Sequence, residues 1–249
     1  MKKYLAYLIG SALLSSCSAD FSSKDSVSPG TGTGGSMARF TVAGNTLYTV
    51  GHSSLQAYDI SQTSNPKAGS KISLGFGVET IFPYQQNLFI GTQTGMYIFD
   101  ITQPQSPQQL SFYDHFQSCD PVVAQGKYAY ITLRSGTTCR NNNLNTLDVV
   151  DISNLTKPKL VKSYPMKNPH GLGIDGNLLF VCEGDHGLRI LDVTDPTAIQ
   201  EVQFITDIQT YDVIPSSKVL IVTGKSGIFQ YSYANPLKLE LLSSMPIVQ

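Results

Sequence analysis

Short apolar runs of strand length, broken by turns, recur along this chain in one fixed order. The clearest copy is Leu178–Pro196, LLFVCEGDHGLRILDVTDP. An apolar run meets a Gly-bearing turn (Glu183–Gly187), a second run ends in Leu191-Asp192-Val193-Thr194, and Pro196 follows. Two such runs around a turn read as a β-hairpin. The same sentence appears as LYTVGHSSLQAYDIS (Leu47–Ser61), LFIGTQTGMYIFDIT (Leu88–Thr102) and, with an insertion, as Ala129–Ser153. A degraded copy, LIVTGKSGIFQYSYA, spans Leu220–Ala234. The strand-ending aspartates Asp59, Asp100, Asp151 and Asp192 are spaced 41, 51 and 41 residues apart. Repeats of this length, rich in Val, Ile, Tyr, Phe and Thr and without 3.6-residue periodicity, predict propeller blades and not helical pairs.

Each unit reads as four strands. In the third these are Pro121–Ala124, Tyr128–Leu133, Leu147–Ile152 and Lys159–Tyr164. Pro66, Pro104 or Pro107, Pro158, Pro196 and Pro236 punctuate the crossing to the outer strand, because Pro cannot join a central ladder. Blade one opens at Arg39–Val42 and blade five closes at Leu237–Met245, with no strand left over. The expected fold is therefore all-β: a five-bladed β-propeller of four-stranded antiparallel blades over residues 37–249. Closure is expected from packing of the first blade on the last. Each strand-ending Asp is expected to accept hydrogen bonds from the turn two residues on.

Composition narrows the partners. With 17 Lys and Arg against 18 Asp and Glu, the net charge is −1, which gives no electrostatic reason to expect nucleic acid. Trp is absent, so any aromatic stacking surface must come from the 13 Tyr and 11 Phe. At the N-terminus, Lys2 and Lys3 precede an apolar stretch too short to span a bilayer, Tyr4–Leu14. It ends in Leu14-Ser15-Ser16-Cys17, which resembles the lipobox of bacterial lipoproteins. That resemblance implies a cleaved signal peptide (1–16) and a lipidated Cys17. The Ser- and Gly-rich stretch 17–36 then reads as a flexible tether outside the ring. The location so implied is the bacterial cell envelope, lipid-anchored at the outer membrane and facing the periplasm or the surface.

The runs LDVVDIS and LRILDVT, with their DIS-x-x-x-x-P continuation, resemble the LVIVD repeat of bacterial secreted β-propeller proteins. The resemblance spans about Phe40 to Leu242. It is weakest in the fifth repeat, where Tyr231-Ser232-Tyr233 replaces the Asp-bearing core, and this degradation bears on how the ring closes. What the resemblance implies is a fold and an exported location, and no reaction.

Three cysteines remain beyond Cys17. Cys119 precedes the inner strand of blade three, and Cys139 lies in its enlarged second-to-third loop, on the same face. In an oxidising compartment a Cys119–Cys139 bridge is expected, closing a loop of about 20 residues worth about 3 kcal/mol. Cys182 reads as a buried free thiol. No Cys-x-x-Cys or His-x-x-x-His spacing occurs, so no metal site or cofactor is expected.

Aligning the blades by their second strands places Glu79, Asp120, His170 and Tyr211 at equivalent inner-strand positions around the channel mouth. Asp212 is adjacent, and around them the second-to-third loops contribute His52, Arg134, Glu183, Asp185, His186 and Lys225. Such a ring is the default binding site of a propeller. A carboxylate near His170 is expected to raise its pKa and make binding pH-dependent near neutrality. The leading functional reading is an exported, membrane-anchored binding or scaffolding module, with an envelope protein or a glycan as ligand. Two alternatives stand beside it. One is a hydrolytic propeller using Glu79 and Asp120 as its carboxylate pair; the other is a structural envelope component. No catalytic residue is assigned on the leading reading.

Overall fold

The computed structural model describes residues 34–114, 121–135 and 145–247. Twenty strands form five four-stranded antiparallel sheets, each built from four consecutive strands. Blade one holds β1 (Phe40–Ala43), β2 (Thr46–Val50), β3 (Ser54–Asp59) and β4 (Lys67–Ser73). Blade two holds β5 (Val78–Tyr84), β6 (Asn87–Thr92), β7 (Gly95–Asp100) and β8 (Gln108–Asp114). Blade three holds β9 (Val122–Gln125), β10 (Tyr128–Leu133), β11 (Thr146–Asp151) and β12 (Lys159–Pro165). Blade four holds β13 (Leu172–Asp175), β14 (Leu178–Cys182), β15 (Leu188–Asp192) and β16 (Gln200–Ile205). Blade five holds β17 (Asp212–Ser216), β18 (Val219–Gly224), β19 (Gly227–Ser232) and β20 (Glu240–Pro246).

The repeated sequence signals have repeated structural causes. The carboxylates of Asp59, Asp100, Asp151 and Asp192 accept the backbone N–H of Ser61, Thr102, Ser153 and Thr194 at 2.6–2.8 Å. Hydrogen bonds from the hydroxyl and amide two residues on hold these exposed carboxyls below the usual range. Their role is local: each ties off the turn that leads to the outer strand. In every blade a register shift also interrupts the pairing of third and fourth strands, as between Gln56 and Tyr58 or Ile190 and Leu191. Bulges at this position increase the twist of the outer strand.

The turn between first and second strands needs a left-handed residue. Gly44, Gly126 and Gly176 supply it, whereas blade two uses Gln85 at φ 53°. Gln85→Gly should therefore stabilise the fold by about 0.5–1 kcal/mol, since a side chain in this region costs about 1–2 kcal/mol and Gly gives some of that back as entropy. Denaturant unfolding of the single variant checks this.

Burial follows the blade order. In β6, β10 and β14 nearly every residue is buried, because both faces of a middle blade are covered. Four buried clusters join blades one and two, two and three, three and four, and four and five. Cys182 sits in the last of these, buried and free, as the sequence indicated.

The fifth junction departs from the expected closure by packing. No buried cluster among the described residues joins blade five to blade one, and β17 with β1 is absent from the closely packed strand pairs. The stretch assigned to the tether reaches across instead. Ser36 is buried; its hydroxyl accepts the Leu172 N–H at 2.7 Å and donates to Asp212 at 3.2 Å. Ala38 accepts the Ile81 N–H at 2.9 Å. Residues 34–36 thus lie against the inner strands of blades four and five, not outside the ring. A Cβ at Gly35 or Gly171 would collide with the Asp212 carboxylate, so only Gly lets these backbones approach it.

Candidate functional site

Between the first strands of blades one to four opens a cavity of about 410 Å³. Glu79 of β5, Arg39 just before β1, His52 in the β2–β3 loop, Arg134 after β10 and His170 before β13 supply its polar lining, with Met37 at the tether end. Glu79 and His170, two members of the ring expected from sequence, therefore face one space. Asp120, the third, lies outside the described residues, and so do Cys17, Cys119 and Cys139. Pro121, next to Asp120, lines the cavity.

Local contacts fix the lining. Arg39 Nη2 donates to the Val78 carbonyl at 3.0 Å, and Gln93 Nε2 donates to Glu79 Oε1 at 3.3 Å. His52 meets Phe76 edge-on at 4.1 Å between ring centroids. The His170 backbone is held at both ends: its N–H donates to the Cys182 carbonyl at 2.7 Å and its carbonyl accepts the Thr132 hydroxyl at 2.6 Å. Arg134 Nη1 lies 3.0 Å from Nδ1 and 2.9 Å from Nε2 of its imidazole. Tyr211 packs on the other side, 5.4 Å between centroids.

This packing corrects the expected behaviour of His170. Burial first, and the Arg134 charge second, push its pKa down to about 4, outweighing Asp185 and Glu183. The imidazole is neutral at neutral pH, so one ring nitrogen donates and the other accepts. The sequence could not order the guanidinium of blade three ahead of the carboxylates as its nearest charge. Burial also raises the Glu79 carboxyl, with the Gln93 hydrogen bond and the Arg39, Arg134 and His52 charges pulling the other way. Arg134 is pushed down by the same burial and held up by Glu79.

The remaining candidates are elsewhere. Asp212 is largely buried beside the tether end, accepting hydrogen bonds from Ser36 and the Val213 N–H, and burial lifts its pKa to about 6. It anchors the chain and does not line the mouth. His186 is exposed on the β14–β15 turn. Glu183, beside it, is fully buried and accepts the N–H groups of Lys167 and Asn168 and the Arg189 guanidinium at 2.6–2.9 Å, a structural set. Arg39, Arg134 and His52 were legible only as loop residues near the mouth or as none at all; nothing in the sequence singled out Arg39. Among the described residues no group of three His, Cys, Asp or Glu is placed to hold a metal ion.

Five four-stranded antiparallel blades, with a polar-lined cavity between their first strands, define a β-propeller. The LVIVD repeat model matches residues 118–165 and 170–207, the stretch that holds blades three and four. Among solved structures it is similar to a protein of unknown function from Desulfotomaculum acetoxidans, at 13% identity and a TM-score of 0.65, covering 82% of this chain and 67% of that one. It is also similar to apo AztD from Citrobacter koseri (12%, 0.61, 82% and 60%). A third is the periplasmic gluconolactonase PpgL of Pseudomonas aeruginosa (15%, 0.61, 82% and 68%). At these identities the likeness is one of fold, and the chain spans about 60–68% of each neighbour's length. No curated protein sequence matches it.

Proposed function

We propose that this protein is an exported, lipid-anchored binding module that takes a small oxygen-rich ligand, such as a glycan terminus or a hydroxylated acid, at the channel mouth. The observation that carries this is the cavity itself: the Arg39 and Arg134 guanidiniums, two imidazoles and the Glu79 carboxyl lie around one space of ligand size. Donors outnumber acceptors, which suits a ligand presenting hydroxyl, carboxylate or phosphate oxygens. Arg39→Met and His170→Ala should each weaken binding about tenfold or more. Titration calorimetry against a panel of sugar acids and oligosaccharides checks both, with Lys225→Met on the exposed β18–β19 turn as control.

A second reading, hydrolysis, has one observation in its favour: burial keeps Glu79 protonated to higher pH than a free carboxyl, as a general acid requires. Glu79→Gln and Asp120→Asn separate the two, because they abolish turnover in an enzyme and only weaken binding in a module. Anchoring has its own test. Metabolic labelling with a fatty-acid analogue should mark the wild type at Cys17 and leave Cys17→Ala unmarked and released from the membrane. Label on the Ala variant would contradict the anchor.

A further inference from the structure

Residues 34–38 belong to no blade, yet three inner strands take hydrogen-bond partners from them. The Leu172 amide of blade four donates to the Ser36 hydroxyl, and the Ile81 amide of blade two donates to the Ala38 carbonyl. Ser36 donates in turn to Asp212 at the start of blade five. The hold is narrow. None of these residues joins a buried apolar cluster, and Met37 is exposed on the cavity side. A segment kept in place by a few hydrogen bonds opens at less cost than the packed blades it touches.

Asp212 supplies the other half of the contact. It is largely buried, and its partners are neutral donors: the Ser36 hydroxyl and the N–H groups of Val213, Ser36 and Met37. Among the described residues no Lys, Arg or His forms an ion pair with it. A buried carboxylate without a cation carries an undiminished desolvation cost when ionised, and opening of the segment returns water to it. The titratable groups facing it leave that cost in place near neutral pH. Burial holds the Cys182 thiol protonated. His170 precedes Gly171, whose backbone abuts the carboxylate, and is neutral here, pushed down to about 4 by burial and Arg134. Tyr211 turns its ring onto His170.

We infer that residues 34–38 are a proton-controlled latch: the segment seats on Asp212 with uptake of a proton and is released more readily when the carboxylate is ionised. The sign follows from burial. With the latch closed Asp212 titrates near 6, above the ordinary 3.8, so the added stability is present at low pH and lost as pH rises through 6. The closing equilibrium should therefore weaken about tenfold between pH 5 and pH 7. Release carries Met37 out of the cavity it lines. What that does to a ligand rests on the reading of the mouth as a binding site; the latch itself does not.

Hydrogen exchange of the full chain bearing Cys17→Ala, read at single amides by NMR from pH 5 to 7, is the test. Protection factors, which remove the intrinsic pH dependence of exchange, are compared for Leu172, Ile81 and the fully buried Ile190. Leu172 and Ile81 should exchange together, through an opening smaller than the one that exposes Ile190. Their protection should fall about tenfold from pH 5 to pH 7 in the parent and stay level in Asp212→Asn. Ser36→Ala should lower both amides at every pH, although Ile81 lies two blades from Leu172. If Asp212→Asn fails to fold, the parent profile and Ser36→Ala decide. Level protection across pH in the parent overturns the latch, as does the parent's slope persisting in Asp212→Asn. So does an Ile81 amide indifferent to Ser36→Ala, or a Leu172 amide as protected as Ile190.

Discussion

Asp212→Asn should make the protein lose stability on acidification from pH 6.5 to 4, where the wild type gains it. Two buried groups oppose one another in that window. Asp212 titrates near 6 in the folded protein against an ordinary 3.8. Its folded-state pKa is raised, so the folded state takes up the proton first and gains stability as pH falls through 6, by about 3 kcal/mol for two pKa units. His170 titrates near 4 against 6.5. Its folded-state pKa is lowered, so stability present above 6.5 is lost as pH falls. That loss is about 1–2 kcal/mol once partial exposure is allowed for. Glu79 shifts in the same direction as Asp212 and adds to it. Removing the Asp212 titration leaves the His170 loss exposed; His170→Gln should give the opposite slope, with stability rising on acidification. The exposed turn aspartates titrate below this window, since their pKa values are lowered. Asp212→Ala goes further, because it strands the Ser36 hydroxyl and the Val213 N–H without their acceptor, at about 2–4 kcal/mol. Thermal unfolding of the three variants across pH checks the signs.

Phe180→Ala should cost about 3–5 kcal/mol, while Ile221→Ala, at the same register position one blade on, should cost less than about 1.5 kcal/mol. Phe180 is fully buried between blades four and five and meets Tyr233 edge-on at 5.0 Å. Truncating it opens a cavity within a sealed interface. Ile221 belongs to the face that blade one does not cover, so its side chain already meets solvent and leaves no cavity behind. Urea unfolding of the two variants compares them. Equal losses would mean that the fifth junction is packed like the other four.

That contrast also marks how far the sequence could be read. The blades were legible because a two-residue side-chain period and a turn signal repeat every 41 residues or so, and strands fell within about three residues of their expected ends. The Asp-x-Ser/Thr turns were legible because the interaction spans only two residues. The fifth repeat is degraded where closure by packing was expected, and Thr223 and Gln230, at the register positions of Cys182 and Ile190, show where the core chemistry fails. The Gly34–Ser36 insertion was not legible, since Gly-Gly-Ser is also what a tether looks like, and burial of Ser36 depends on partners 136 and 176 residues away. The neighbours of His170 were hidden for the same reason. Glu79 and His170 line one cavity, yet which charge sits closest is decided by the loop after β10.

The central claim is that the channel mouth binds, and a titration with the mouth variants addresses it directly. Wild type, Arg39→Met, His170→Ala and Lys225→Met would be titrated with the tightest ligand from the sugar-acid and oligosaccharide panel, and the mixtures analysed for cleavage products. The account predicts saturable one-to-one binding, about tenfold or greater loss in the two mouth variants, no change in the turn control and the ligand recovered intact. Equal affinity in all four proteins, or conversion of the ligand, would contradict it.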